Sequence, residues 1–460
     1  MRRTKARLLL PLLALSLSLS PDVRAATPDA QLVIYIETSV ETLMPATLEL
    51  GDLTLHSTAG TIGLRPVRRI LDSADLSVSQ GLFVDQPVAP GHYDSLHAQI
   101  AAITTHVGQA EVKPELPPEG VAVRLDLEIR SGECTFVILR WRPRAPADSG
   151  PHVPELTVIH PSVPPLGSVA FVTNEKSGNV TVIDQASSRV VDCIAVGRGP
   201  RDIAYSPLDQ LLFVALAEDD AVAVVEAGSR RLLQTVPLRF GDEPSRLLLV
   251  AEEQRLYVLN RASDSVTVLS MPSLQDVGRI AVSPGPRSLV RDDRTGYLYV
   301  ACETAGEIFV YDPALTRPVT SLVVDSTPIE LALDSRRREL HVASGMRRRI
   351  VTVDLDTGAV TGQIDLCAVA AGVVFDEATS RLYAAARRCR EVAVLTPTSS
   401  MEIRAIELAD APGLIALSAD RRRILATLPA VDRLEICNVT GSQVAATIET
   451  GRQPYAVISP

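Results

Sequence analysis

Six prolines recur between residues 200 and 454, and the residues that follow them carry the chain's best candidates for chemistry. They are Arg201/Asp202, Ser245/Arg246, Arg287/Ser288, Ile329/Glu330, Gly413/Leu414 and Tyr455/Ala456, with Gly372/Val373 in a unit whose proline is missing. Arginine offers a planar fork of donors for carboxylate or phosphate, and aspartate or glutamate beside it can hold that fork or act on a bound substrate. The charged members cluster in Arg201, Asp202, Arg246, Arg287 and Glu330, whereas the remaining units offer small or apolar residues. One polar arc and one apolar arc around a common mouth suit a small anionic or amphipathic ligand. The competing reading is that these arginines pair with Asp202 and Glu330 and seal the site.

A second set is basic. Arg347, Arg348 and Arg349 form one run, and Arg387, Arg388 and Arg390 form another about one unit later, while Glu218-Asp-Asp220 is acidic. A polarised surface of this kind steers a partner, although solvated turns have the same composition. Arg336-Arg-Arg338 and Arg421-Arg-Arg423 fall in first-to-second-strand turns on the opposite face and do not add to it.

Positioning depends on the repeat. Pro200, Pro244, Pro286, Pro328, Pro412 and Pro454 are spaced by 44, 42, 42, 84 and 42 residues, the 84 spanning two units with a degenerate one at Ala371-Gly-Val-Val-Phe375. Each unit holds four short runs, such as Ile203-Ala-Tyr205, Leu211-Leu-Phe-Val-Ala215, Val222-Ala-Val-Val225 and Leu232-Leu-Gln-Thr-Val236. They are apolar or β-branched, of strand length, and bounded by Gly, Pro, Asp or Ser. Four strands per period make one propeller blade. Residues 169–195 supply three strands, and Pro454-Tyr-Ala-Val-Ile458 supplies a lone first strand. Joined, they complete a seventh blade and leave no open sheet edge. The expected fold is all-β: a seven-bladed propeller of four-stranded blades with a split closing blade, preceded by a small β-sandwich.

Four segments are expected: a signal peptide over 1–25, a sandwich over 26–142, a proline-rich spacer over 143–168 and the propeller over 169–460. Met1-Arg-Arg-Thr-Lys-Ala-Arg7, the apolar stretch Leu8 to Ser20 and Val23-Arg-Ala25 have the form of a secretory signal, too short for a bilayer span. A periplasmic or secreted protein is therefore expected. Without residues 1–25 the formal charge falls from −10 to −14, which argues against general nucleic-acid binding. The six cysteines are Cys134, Cys193, Cys302, Cys367, Cys389 and Cys437. Cys367 and Cys389 fall in loops of one propeller face and are the disulfide candidate, the alternative being two buried thiols.

In residues 30–142, runs such as Gln31-Leu-Val-Ile-Tyr-Ile36, Val121-Ala-Val-Arg-Leu-Asp-Leu-Glu-Ile129 and Cys134-Thr-Phe-Val-Ile-Leu139 read as six or seven strands, enough for a small sandwich. Pro90-Gly-His-Tyr93 resembles the strand opening of bacterial transthyretin-like and carbohydrate-binding-like sandwich domains, a likeness that confers no activity.

The propeller segment resembles the YVTN family. Phe171-Val-Thr-Asn174 with Val182-Ile-Asp184, and Leu256-Tyr-Val-Leu-Asn260 with Val266-Thr-Val268, carry the likeness, whereas Cys302, Ser344, Arg387 and Pro429 depart from its asparagine region. The resemblance implies the fold strongly and function weakly, because such propellers include lactonases, lyase-like proteins, haem carriers, surface-layer proteins and DNA binders. Only His341 of seven histidines lies in a repeat, the single Trp141 lies outside it, and no Cys/His cluster occurs. Neither cofactor nor metal is expected on these grounds. The leading expectation is an exported, monomeric, non-catalytic propeller binding a protein or a small anionic or amphipathic ligand at its mouth. A lactonase-like hydrolase using Asp202, Arg246 and Glu330 is the alternative, and weak single-stranded nucleic-acid binding by the basic loops is the third.

Overall fold

The computed structural model describes residues 30–38, 45–58, 60–107, 110–144, 152–162, 164–314, 317–324, 327–399 and 401–460. The stretch read as a signal peptide lies outside them, as does part of the proline-rich segment. Among the described residues, no helix is long and apolar enough to cross a membrane.

Seven four-stranded antiparallel sheets follow one another from residue 169 onward. Blades 1 to 5 occupy 200–237, 244–281, 286–323, 328–365 and 370–407; blade 6 occupies 415–449, its ladder starting two residues past Gly413. In each blade the first strand is innermost and the chain steps outward. The second and third strands are almost wholly buried, as in Leu211–Leu216 and Ala221–Glu226, because neighbouring blades cover both faces. The fourth strands, such as Arg231–Pro237, are mostly exposed. Blade 7 joins both ends of the propeller: Val169–Asn174 pairs with Asn179–Asp184 on one side and with Pro454–Ile458 on the other. Phe171 faces Ile458 and Val172 faces Val457. The split closing blade read from the repeat is the one observed.

Two buried asparagines show what the repeat's motif does. Asn174 Nδ2 donates to Asn179 Oδ1 and Thr181 Oγ1, both at 2.8 Å. Asn260 Nδ2 donates equivalently to Ser265 Oγ at 3.1 Å and Thr267 Oγ1 at 2.8 Å. The amide thus ties the end of the second strand to the start of the third, satisfying groups that the blade has withdrawn from water. At the other end of that turn, Asp220 and Asp264 adopt φ of 47°, a left-handed conformation that Asp tolerates better than most residues. Their carboxylates accept the amides of Gly241, Glu243 and Gly285, so each loop steadies its neighbour.

The N-terminal region is two facing sheets over one apolar core containing Leu32, Ile34, Leu48, Leu55, Leu127 and Trp141. Strand Val121–Ile129 alternates buried and exposed residues without exception, the signature of one packed and one wet face. Tyr93 is buried, and its hydroxyl donates to the Ala89 carbonyl at 2.8 Å, closing the turn at Pro90-Gly91. The spacer reading is corrected in one respect. Glu155–Ile159 pairs with Cys134–Arg142 as an edge strand of the sandwich. Its run is free of proline, and the prolines at 154 and 161 flank it, which an edge strand tolerates.

Strand Gln31–Thr38 is buried at all eight positions. One face belongs to the sandwich core; the other, with Val33 and Tyr35, packs with Leu82 and Ile138 against Val172, Ile183, Val190, Leu434 and Ile448 of blades 7 and 6. Glu37 holds Arg140 and Arg189 at 2.7 Å each, and Glu449 takes Arg68 and, at 2.8 Å, the Leu82 amide. Cys134 of the sandwich and Cys193 of blade 7 form a disulfide, with Cα atoms 6.0 Å apart. Replacing Cys134 and Cys193 together by Ser should lower the unfolding free energy by about 2–4 kcal/mol in urea titrations. A loss below about 1 kcal/mol would show that the non-covalent contacts hold the two parts together unaided.

Candidate functional site

Every complete inner strand begins with an irregularity. The register slips between Pro200 and Ile203, Pro244 and Arg246, Pro286 and Ser288, Pro328 and Glu330, and Ala370 and Val373. An extra residue in one strand re-aims side chains and frees backbone groups. Here the slip recurs at the channel end of each of these inner strands, turning the residues after the proline toward the mouth.

These residues are used unequally. Asp202 Oδ2 accepts the Leu247 amide of the next blade at 2.8 Å, and Ser288 Oγ accepts the Leu331 amide at 3.2 Å. Both therefore stitch neighbouring inner strands. Arg201 is half-buried against Glu175 of blade 7 at 2.9 Å. Arg287 lies 3.4 Å from Glu303. Arg246 crosses the mouth to form an ion pair with Glu330, two blades away, and its Nε donates to the Arg287 carbonyl at 3.4 Å. Burial pushes the Asp202 carboxyl above its ordinary range, although Arg246 draws it back. Burial likewise raises Glu330, against the opposing pull of Arg246 and Arg287.

A cavity of about 70 Å³ opens beside this pair. Arg246, Arg261, Arg287 and Arg387 supply four guanidiniums to its wall against the single carboxylate of Glu330. Ala371, Leu414, Pro429 and Tyr455 form its apolar side. Arg261 and Arg387 are exposed, and neither has an ion pair among the described residues. They occupy the same place in blades 2 and 5, directly after the second strand. That position holds Glu175, Ala217, Glu303, Gly345 and Pro429 in the other blades. The sequence signal for Arg261 was therefore present, one residue beyond Asn260, but the reading from the prolines passes over it.

The arginines of the two basic runs have different partners. Arg387 lines the mouth, whereas Arg348 donates to the Cys367 carbonyl at 3.2 Å and Arg349 to Gln363 Oε1 at 3.1 Å. Arg347, Arg388 and Arg390 lie outside the cavity wall. Cys367 and Cys389 form a disulfide, with Cα atoms 6.3 Å apart, that fixes the loop carrying Arg387. Cys302 and Cys437 are buried free thiols that burial pushes up to about 12, too high for a reactive thiolate. A wider cleft of about 340 Å³ lies between the outer strands of blades 1 and 2, lined by Val236, Leu238, Leu269 and Arg279. Arg279 is committed to Asp242 by a bidentate pair, and Arg239, Gln275 and Asp276 add to the polar part of that lining. The mouth cavity is the better candidate because it gathers four guanidiniums against one carboxylate at the point where the blades converge.

Residues 187–317 match the model of the lactonase family described as a seven-bladed beta-propeller. The YwhL protein of Bacillus subtilis is 28% identical over 157 residues, covering 33% of this chain and 32% of that protein. A seven-bladed beta-propeller protein of Mycobacterium tuberculosis is 29% identical over 155 residues, covering 33% and 37%. The chain thus spans about a third of the length of these curated relatives. Among solved structures, a protein from Lactobacillus plantarum aligns with TM-score 0.54 and 17% identity over 63% of this chain and 98% of that one. Kuenenia stuttgartiensis hydrazine synthase aligns with TM-score 0.52 and 18% identity over 62% and 93%. At these identities the likeness is one of fold, and it agrees with the seven blades observed.

The Arg246–Glu330 pair yields a test of its structural share. Arg246→Met leaves a buried carboxylate without its partner and should cost about 3–5 kcal/mol in chemical denaturation. The double variant Arg246→Met/Glu330→Met should recover most of that loss, because both desolvation penalties vanish together. Equal losses in the single and double variants would refute a pair that merely balances itself.

Proposed function

We propose that the protein is an exported ligand-binding propeller whose mouth takes the acidic group of a small amphipathic anion. The single observation that carries the reading is the cavity wall, four arginines against one glutamate in a chain whose formal charge is −10. Arg246 is neutralised by Glu330 and Arg287 shares Glu303, so Arg261 and Arg387 provide the uncommitted donors. Guanidinium forks suit carboxylate, sulfonate or phosphate oxygens. The apolar arc of Ala371, Leu414 and Tyr455 suits a short hydrocarbon beside that group. Size narrows the class. Cavities for drug-sized ligands run to about 300–1,000 Å³, so about 70 Å³ admits a headgroup and a few carbons rather than a nucleotide or haem. Two disulfides support export, since such bonds persist in oxidising compartments.

The test is calorimetric titration at low salt with short-chain carboxylates and sulfonates. Arg261→Ala and Arg387→Ala should each weaken binding about tenfold, the loss of one charge-assisted hydrogen bond. Unchanged affinity in both variants would exclude the mouth as the site. A sulfonate stays ionised across the accessible pH range and isolates the protein's contribution. Glu330 has its carboxyl raised, so acidification through that range neutralises the one anion of the wall; sulfonate affinity should rise as pH falls, and Glu330→Gln should flatten the rise. Affinity that falls on acidification would contradict this assignment.

A hydrolytic reading is favoured by the lactonase-family match, which spans Arg201, Asp202, Arg246 and Arg287 but not Glu330. Glu330, whose carboxyl burial raises, is the group such chemistry would use as acid or base. Against it, Asp202 and Glu330 are both engaged, and no histidine lines the cavity among the described residues. Turnover across a panel of small lactones, abolished by Glu330→Gln, would replace the binding reading with this one; no turnover is expected.

A further inference from the structure

At the other end of blade 4, away from the mouth, two carboxylates and an imidazole face one another. Asp334 closes the first strand, Glu339 opens the second directly opposite it, and His341 lies two residues further along. Ligand atoms of the three lie within 4.8 Å of one another. Asp334 is 2% exposed and His341 0%. Like charges set directly opposite in a sheet repel, yet neither carboxylate has an ion pair among the described residues. Asp354, opposite Glu339 on the third strand, adds a further carboxylate and is occupied by the Asp356 and Thr357 amides. Asp334 Oδ1 accepts the Arg336 and Arg337 amides at 3.1 and 3.0 Å, and the exposed Arg337 side chain donates to Thr398 Oγ1.

The imidazole supplies the second observation. His341 Nδ1 lies 3.1 Å from Thr352 Oγ1, while Nε2 is buried with no hydrogen-bond partner. An orphaned buried nitrogen is costly and rare. With Nδ1–H donating to the threonine hydroxyl, Nε2 presents a lone pair, the arrangement by which an outer hydrogen bond orients a metal-binding histidine.

We infer that Asp334, Glu339 and His341 form a binding site for one first-row divalent transition-metal ion, with zinc or manganese the best match. One imidazole nitrogen with two carboxylates suits such ions better than calcium or magnesium, which prefer oxygen alone. The ion would clamp the turn between the first and second strands of blade 4, beside Phe375 of blade 5, whose ring centroid lies 5.1 Å from the imidazole. Its role is structural and independent of the mouth.

The experiment uses the full chain, purified without chelator or reductant so that Cys367 and Cys389 stay joined. Zinc titration by calorimetry should show one equivalent bound and a raised melting temperature. Glu339→Gln, at a partly exposed strand end, should weaken zinc at least tenfold. His341→Phe, which fills the same space against Phe375, should abolish binding while the circular dichroism spectrum is kept. The inference is overturned if zinc neither binds nor shifts melting at millimolar concentration, or if both variants bind as wild type. It is also overturned if binding survives them but is lost in Cys367→Ser/Cys389→Ser, which would place the ion on the cysteines and Glu391. A magnesium response equal to that of zinc overturns it as well.

Discussion

The pairing of Pro454–Ile458 with Val169–Asn174 is the constraint from which the rest follows. A propeller without it is an open stack whose two terminal blades expose unpaired edges and apolar faces. The chain brings together residues almost 300 positions apart, an entropically slow contact. The N-terminal sheets reinforce it at the same place. Val33, Tyr35, Leu82 and Ile138 cover Val172 and Ile183 of blade 7 together with Leu434 and Ile448 of blade 6, on either side of the seam. Tyr35 donates to the Glu449 carbonyl at 3.0 Å, and the Cys134–Cys193 disulfide fastens the sandwich to blade 7. The sandwich therefore acts as a buckle across the join, which explains why its first strand is buried on both faces.

A closed ring makes the mouth a converging point for residues that are far apart in sequence. Arg246 and Glu330 meet across 84 positions because each follows the same bulge in its own blade. Equivalent strand openings carrying different side chains convert a sevenfold scaffold into an asymmetric rim. Blades 5, 6 and 7 contribute Ala371, Leu414 and Tyr455, while blades 2, 3 and 4 contribute Arg246, Arg287 and Glu330. Some of these charges are structural. Asp202 holds the next inner strand by its backbone amide, so its place in the ring does not make it a ligand-binding group.

Legibility in the sequence tracked the range of the forces involved. Strand order, blade number and the split blade follow from a period and from short apolar runs, which are local and repeated. The mouth was legible in part: Arg246, Arg287 and Glu330 are found by counting from the prolines, and Arg387 by its basic run, but joining these sets requires knowing that the first residue after the second strand reaches the same cavity. Arg261 and Arg387 occupy that position in two blades. The pairing of Cys134 with Cys193 was hidden because it depends on how the sandwich docks, which no repeat encodes. The Glu155–Ile159 strand was masked by surrounding prolines, although an edge strand needs only its unflanked central residues to bond.

A cationic cavity in an acidic chain is not a contradiction once distance is considered. At physiological ionic strength, charges screen one another over about 8 Å, so the carboxylates spread over the surface contribute little inside the mouth. What an entering anion meets is the wall itself, where Glu330 offsets one guanidinium and Glu303 shares another. The net negative charge still matters at longer range, since it slows the approach of anions at low salt and excludes polyanions from the exterior. Selectivity for small anions over nucleic acid would then arise from two scales acting in opposite directions: repulsion by the whole surface, and attraction by a few arginines around a cavity that only a small group can enter.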